Sequence, residues 1–357
     1  MSLAVKSAAK SMPGNYFEDF RVGMVIRHAT PRTVTAGDVA FYQACYGGRF
    51  AVQSSAAFAK SIGYATAPID DMLVFHIVFG KTVPDLSLNA IANLGYADLR
   101  FLTPVFPGDT LSATTEIIGL RENSNKESGV VYVRSVGSNQ SGEAVLTFAR
   151  WVMVRKRDKG ANVPEAVVPK LPQQVEAADL GAAVPFIDDK AYDRELAGSP
   201  YVWGDYAVGE RIDHIDGMTI EEAEHQLATR LYQNTAKVHF NQHAEGQGRF
   251  GRRLVYGGVI ISLARALSFN GLANAFHVAA INGGRHAAPA FAGDTVYAWS
   301  EVLERAEIPA RSDVGALRLR TVATKNLACD AFPGPSEPAT PTQGVILDLD
   351  YWVVMPR

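Results

Sequence analysis

Phe17-Glu-Asp-Phe20-x-Val22-Gly23-x-x-Ile26-x-His28 returns 186 residues later as Trp203-Gly-Asp-Tyr206-x-Val208-Gly209-x-x-Ile212-x-His214. Thr33-Val34 matches Thr219-Ile220 at the same spacing. Arg100-Phe-x-x-Pro104-x-Phe106-x-Gly108-Asp109-Thr110 then matches Arg285-His-x-x-Pro289-x-Phe291-x-Gly293-Asp294-Thr295, and residues 129–134 and 151–154 match 315–320 and 352–355. The chain contains one unit twice, and a repeat of this kind decides the architecture before any local reading. The wider spacing of the last pair places the additional residues around 331–344, where Pro333, Pro335, Pro338 and Pro341 predict an irregular surface loop.

Each copy reads as a short strand, a helix, a second apolar helix, and then alternating strands that end in an aromatic-rich run. That order is α+β. The copies occupy 14–157 and 201–357. Between them, 158–200 carries prolines at 164, 169, 172, 185 and 200 without sustained periodicity, which predicts a semi-extended linker that wraps one copy to reach the other. Two copies in one chain are expected to pack about a pseudo-twofold axis, as the protomers of a homodimer would.

Composition narrows the class of function. Of 357 residues 47% are hydrophobic, enough for two ordinary cores, and a net charge of -3 leaves no basic excess to attract nucleic acid or an anionic membrane. A small soluble ligand is the expected partner. Cys45 and Cys329 lack metal or disulfide spacing and suit a reducing, cytoplasmic compartment as packed thiols. No apolar run spans a bilayer, and the opening MSLAVKSAAKSMPG reads as a frayed terminus, not a secretory signal. No metal or redox cofactor is implied.

The duplication supplies an internal comparison: a polar residue found in one copy only is not demanded by the shared fold. Tyr46-Gly-Gly48-Arg-Phe-Ala51-Val-Gln53 lies opposite Tyr232-Gln-Asn234-Thr-Ala-Lys237-Val-His239. His239 therefore faces Gln53, and Asn234 faces Gly48. Histidine is the side chain suited to proton transfer near neutral pH, which makes His239 the candidate general base. A hydrogen-bonded structural histidine is the alternative. Downstream, Gly257-Gly258 opens an apolar helical run. Free N–H groups at a helix start, helped by its dipole, can hold an oxyanion, although tight helix packing also calls for glycine. Lys237, Arg252 and Arg253 face Ala51, Thr66 and Ala67, so cations gather near this region in the second copy only; they are either oxyanion binders or solvated surface charge. Asp70-Asp71 precedes the apolar helix of the first copy as a cap, with one carboxylate able to reach across the interface. Glu222, Glu224, Asp70 and Asp71 stand as candidate acid partners.

The run from Arg100 to Leu111, Arg-Phe-Leu-Thr-Pro-Val-Phe-Pro-Gly-Asp-Thr-Leu, resembles the sheet motif of MaoC-like hydratases. The resemblance spans nearly the whole chain. It implies two tandem hotdog domains, each an antiparallel sheet wrapped around a central helix, with a degenerate half and a catalytic half. The family motif Asp-x-Asn-Pro-x-His ends here on His239, but its aspartate is Asn234, its asparagine Ala236 and its proline Lys237. The usual Asp/His pair is thus replaced by a histidine and a neutral amide. The segments from Tyr232, Asp216 and Val74 through Lys81 are similar to those of the mesaconyl-CoA hydratases, which interconvert β-methylmalyl-CoA and mesaconyl-CoA.

What the resemblance implies is reversible hydration of an enoyl-CoA. His239 would move the proton, Asn234 would hold water or the acyl group, and Gly257 and Gly258 would polarise the thioester carbonyl. Lys237, Arg252 or Arg253 would hold coenzyme A phosphates or a distal carboxylate. Coenzyme A enters as part of the substrate. A hydratase of simple (R)-3-hydroxyacyl chains, a thioesterase and a non-catalytic acyl-CoA binding protein are the alternatives, since fold does not choose chemistry. A homodimer of the fused chain is expected.

Overall fold

The computed structural model describes residues 10–337 and 340–357. Most of the opening segment, through residue 9, and Pro338 of the proline-rich loop lie outside the described residues. Five strands build the first half: β1 (Val25–Thr33), β2 (Ala90–Phe101), β3 (Thr110–Glu122), β4 (Ser128–Ser138) and β5 (Ala144–Arg155). Six build the second: β6 (Arg211–Asp213), β7 (Met218–Thr219), β8 (His277–His286), β9 (Thr295–Glu307), β10 (Val314–Lys325) and β11 (Val345–Pro356). They form one continuous sheet in the order β1-β3-β4-β5-β2-β8-β11-β10-β9-β6, with β7 on β9. The order is palindromic about the antiparallel β2–β8 pair, where Ala97 sits opposite Gly283, 186 residues away. The repeat is realised as a twofold-like fusion: two hotdog units joined edge to edge.

Each unit wraps its sheet around one long helix, Asp71–Leu86 in the first and Gly257–Leu267 in the second. Residues 72–79 of the first are buried on every side, the expected fate of a helix apolar all round. Asp70 caps it through a 2.8 Å bond from the Met72 amide. Asp71 does reach across, accepting the Val278 amide at 2.8 Å and pairing with His277 at 2.9 Å.

Residues related by the repeat meet at the seam. The Tyr46 and Tyr232 hydroxyls lie 2.7 Å apart, and His76 Nε2 lies 3.2 Å from Ser262 Oγ. The histidines ending the two copies of the motif play one structural part. His28 bonds to Thr115 and through it to Ser135 (2.8 and 2.7 Å), while His214 bonds to Ser300 and through it to Thr321 at the same distances. Satisfied buried networks of this sort fix strand register.

The segment 158–200 is held along its length. Val167 bridges to Leu120 of β3, the Val175 amide donates to Asn282 Oδ1 at 2.8 Å, and the Arg311 guanidinium donates to the Val184 and Pro185 carbonyls at 2.9 and 2.8 Å. No described helix is long and apolar enough to cross a membrane.

Glycine is required where the halves touch. A Cβ on Gly80 would lie 1.8 Å from the Tyr232 carbonyl oxygen and 3.2 Å from the Asn234 amide nitrogen. Both atoms are backbone and cannot rotate away. Gly80→Ala is expected to cost about 1–3 kcal/mol or more, as overpacking does, read as a lower denaturant midpoint. An unchanged midpoint would mean that the seam opens freely there.

Candidate active site

The second half carries His239 on the short helix Lys237–Phe240, whose backbone is tied to the approach to the central helix: the Leu254 amide donates to the Val238 carbonyl at 3.0 Å. The ring returns the favour to the same residue, Nδ1 lying 2.9 Å from the Leu254 carbonyl oxygen. A carbonyl only accepts, so the proton sits on Nδ1 and Nε2 keeps its lone pair. Nε2 has no hydrogen-bond partner among the described residues. The imidazole is half-buried by exposed surface yet densely surrounded, and burial, opposed by the Leu254 bond and helped by His225, pushes its pKa down to about 4. It is a neutral base at physiological pH.

Asn234 is buried, 3% exposed. Its Oδ1 accepts the Ala236 amide at 3.0 Å, and the residue is among those lining a cavity of about 600 Å³ between the halves. Gly257 and Gly258 form the first turn of the second central helix, where their amides have no acceptor among the described residues. Glycine is also sterically required. A Cβ at Gly257 would lie 2.4 Å from His286 Nε2, and one at Gly258 2.3 Å from the Tyr256 ring and 2.6 Å from His76. Tight packing thus accounts for this pair, while the two amides remain open to an acceptor. The Tyr256 ring links the helix start to the base, 5.5 Å from the His239 ring centre.

His286 is the residue that the motif reading passed over. It ends β8, its ring edge rests on Gly257, and Tyr96 Oη lies 3.5 Å from its Nε2. Burial, and next His239, push its pKa down to about 4. The signal was present in the repeat, which sets Phe101 opposite His286 in the paired Arg-Phe and Arg-His motifs.

The three predicted cations are not drawn together. Lys237 is exposed; Arg252 is exposed and stacks its guanidinium over the Phe291 ring at 3.9 Å; Arg253 pairs with Glu222 through a short contact and reaches the Phe240 carbonyl at 3.4 Å. Of the four carboxylates, Asp70 caps the first central helix, Asp71 is held across the seam by the Val278 amide and His277, Glu224 is exposed, and Glu222 lies 3.6 Å from the buried His225 as well as on Arg253. None of them bonds to His239.

The corresponding place in the first half is closed. Gln53, in the position of His239, donates Nε2 to the Phe276 carbonyl at 2.6 Å. Phe101, Asp71, His277 and Ala183 of the linker line it with Gln53, and about 10 Å³ of space remains. The first half offers little open space at this position.

A family model described as mesaconyl-CoA hydratase matches residues 2–335. The chain belongs to the mesaconyl-CoA hydratase family. A β-methylmalyl-CoA dehydratase of Chloroflexus aurantiacus is 63% identical over 351 residues, covering 98% of this chain and 99% of that one. A mesaconyl-CoA hydratase of Cereibacter sphaeroides is 58% identical over 350 residues, covering 98% and 100%. The crystal structure of a protein described as a MaoC domain dehydratase from Chloroflexus aurantiacus superposes with a TM-score of 0.95 at 63% identity, over 98% and 99% of the two chains. This mesaconyl-CoA hydratase family member thus shares both sequence and double-hotdog architecture with its relatives end to end.

Proposed function

We propose that the chain adds water reversibly to the double bond of mesaconyl-CoA, giving β-methylmalyl-CoA. Full-length likeness to proteins bearing those two names supports the substrate. The observation that carries the site is His239, a neutral imidazole with Nδ1 tied and Nε2 free, found in only one half and beside a helix start whose amides are free.

The step follows from these positions. His239 Nε2 takes a proton from water as its oxygen bonds to the β-carbon, the carbon that bears the free carboxylate. The electron pair of the double bond moves onto the thioester oxygen, where the Gly257 and Gly258 amides and the helix dipole hold it. The imidazolium then returns its proton to the α-carbon, so water is added in full. Asn234 orients the water, and the neutral His286 ring adds a further donor beside Gly257, as an imidazole of depressed pKa can. Lys237 and Arg252, both exposed, meet coenzyme A phosphates. No step calls for a metal or redox cofactor. The seam is already filled within the chain, so a dimer of chains would use another surface, and two unpaired thiols suit the cytoplasm.

The test is the absorbance of the enoyl-thioester on mixing protein with mesaconyl-CoA, beside crotonyl-CoA and a free-thiol assay. Rapid loss with mesaconyl-CoA and no thiol is expected. Thiol release would instead make the protein a thioesterase, and reaction with crotonyl-CoA alone would replace the substrate.

A further inference from the structure

The first half lacks a base, yet it lends a cation to the seam cavity. Lys81 lies near the C-terminal end of the first central helix, in the position that Leu267 holds in the second copy. It is 2% exposed, and Nζ donates to the Thr30 carbonyl and to Gln233 Oε1 at 3.3 Å. Both partners are neutral. No carboxylate pairs with it among the described residues, whereas the nearby Arg32 is neutralised by Asp38 at 2.6 Å. An ammonium buried among neutral groups is expensive, and such charges are normally matched by a counter-ion.

The cavity that Lys81 lines also holds Asn234, Gln233 and Thr235 from the catalytic half, with Thr30 and Pro84 from the other. Gly80 lets the helix touch the turn at Tyr232, and Gln233, next in that turn, holds the left-handed backbone (φ 53°) unusual for a residue with a side chain. The turn thus places the Gln233 amide on the lysine and Asn234 in the cavity together. The buried positive charge and Asn234 line one cavity.

We infer that Lys81 binds the free carboxylate of the substrate, so that the half without a base sets specificity for a dicarboxylic acyl group. This rests on the hydratase reading for the position of the acyl chain. It also shifts the distal-carboxylate role from Lys237, Arg252 and Arg253, which lie exposed or paired with Glu222, to a cation inside the seam.

Calorimetric titration with succinyl-CoA and butyryl-CoA, equal in chain length and differing in the terminal carboxylate, reads this without turnover. The wild-type protein is expected to bind succinyl-CoA at least tenfold more tightly. Lys81→Met should lose that preference by tenfold or more while butyryl-CoA binding stays unchanged, and Lys81→Arg should keep most of it. Equal weakening of both ligands, or loss of butyryl-CoA binding altogether, would make Lys81 a structural lysine and overturn the inference; so would an unchanged preference in Lys81→Met. Failure of the wild-type protein to hydrate mesaconyl-CoA would be a different result, against the substrate reading, and is measured separately by absorbance.

Discussion

His239→Ala is expected to lower turnover of mesaconyl-CoA by about 100-fold or more, the usual contribution of a positioned general base, with little change in the folding transition. The ring makes one hydrogen bond, to the Leu254 carbonyl. Losing such a bond costs on the order of 1 kcal/mol, which a domain of this size withstands. The pH profile gives a second reading of the same group. An ordinary histidine, with a pKa of 6.5, would be half protonated at that pH; burial brings His239 to about 4. The lone pair is present above the folded-state value, so wild-type activity should stay level from pH 8 to about 5.5 and fall as the pH approaches 4. Steady-state rates over that range check it. Wild-type-like turnover in His239→Ala would remove the residue from the mechanism, and a midpoint near 6.5 would mean that the ring is not held neutral.

The same burial acts on stability, with a definite sign. His76, His214, His239 and His286 all have folded-state pKa values below the ordinary 6.5. The unfolded chain takes up these protons first as the pH falls. Stability is therefore complete above 6.5 and is lost progressively between that value and about 3, the value that burial gives His76. Denaturant midpoints should drop across this window.

Duplication made much of the fold legible, because each element could be checked against its copy. His28 and His214, present in both halves, proved to be matching structural networks, while His239, present in one, lies at the free helix start. What escaped depended on contacts between residues far apart in the chain. The direction of His286 is set by strand register and by where Gly257 meets it, and neither is visible in a motif. Arg253 is spent on Glu222, 31 residues earlier, so its proximity in sequence to the glycines was misleading. Lys81 lay inside a segment that reads as pure apolar helix; only the seam, formed with Gln233 some 150 residues later, gives its charge a place. Charge near a site in sequence and charge inside it are set by different links of the chain.

His286→Phe is the substitution that the protein itself recommends, since Phe101 fills the corresponding place in the first half and packs there 6.1 Å from the His277 ring. The swap removes both ring nitrogens while keeping an aromatic side chain against Gly257. If His286 only walls the pocket, kcat should hold and KM alone should drift. As a donor to the oxygen that gains charge in the transition state, its loss should lower kcat by about 100-fold, near 2.7 kcal/mol of barrier, with KM little changed because the ground-state carbonyl asks less of it. His286→Asn, which keeps a donor on a shorter side chain, should recover part of the rate. Wild-type kcat in His286→Phe would leave the oxyanion to the Gly257 and Gly258 amides alone, whereas a fall in kcat approaching that of His239→Ala, with KM held, would place His286 in the chemistry at the helix start.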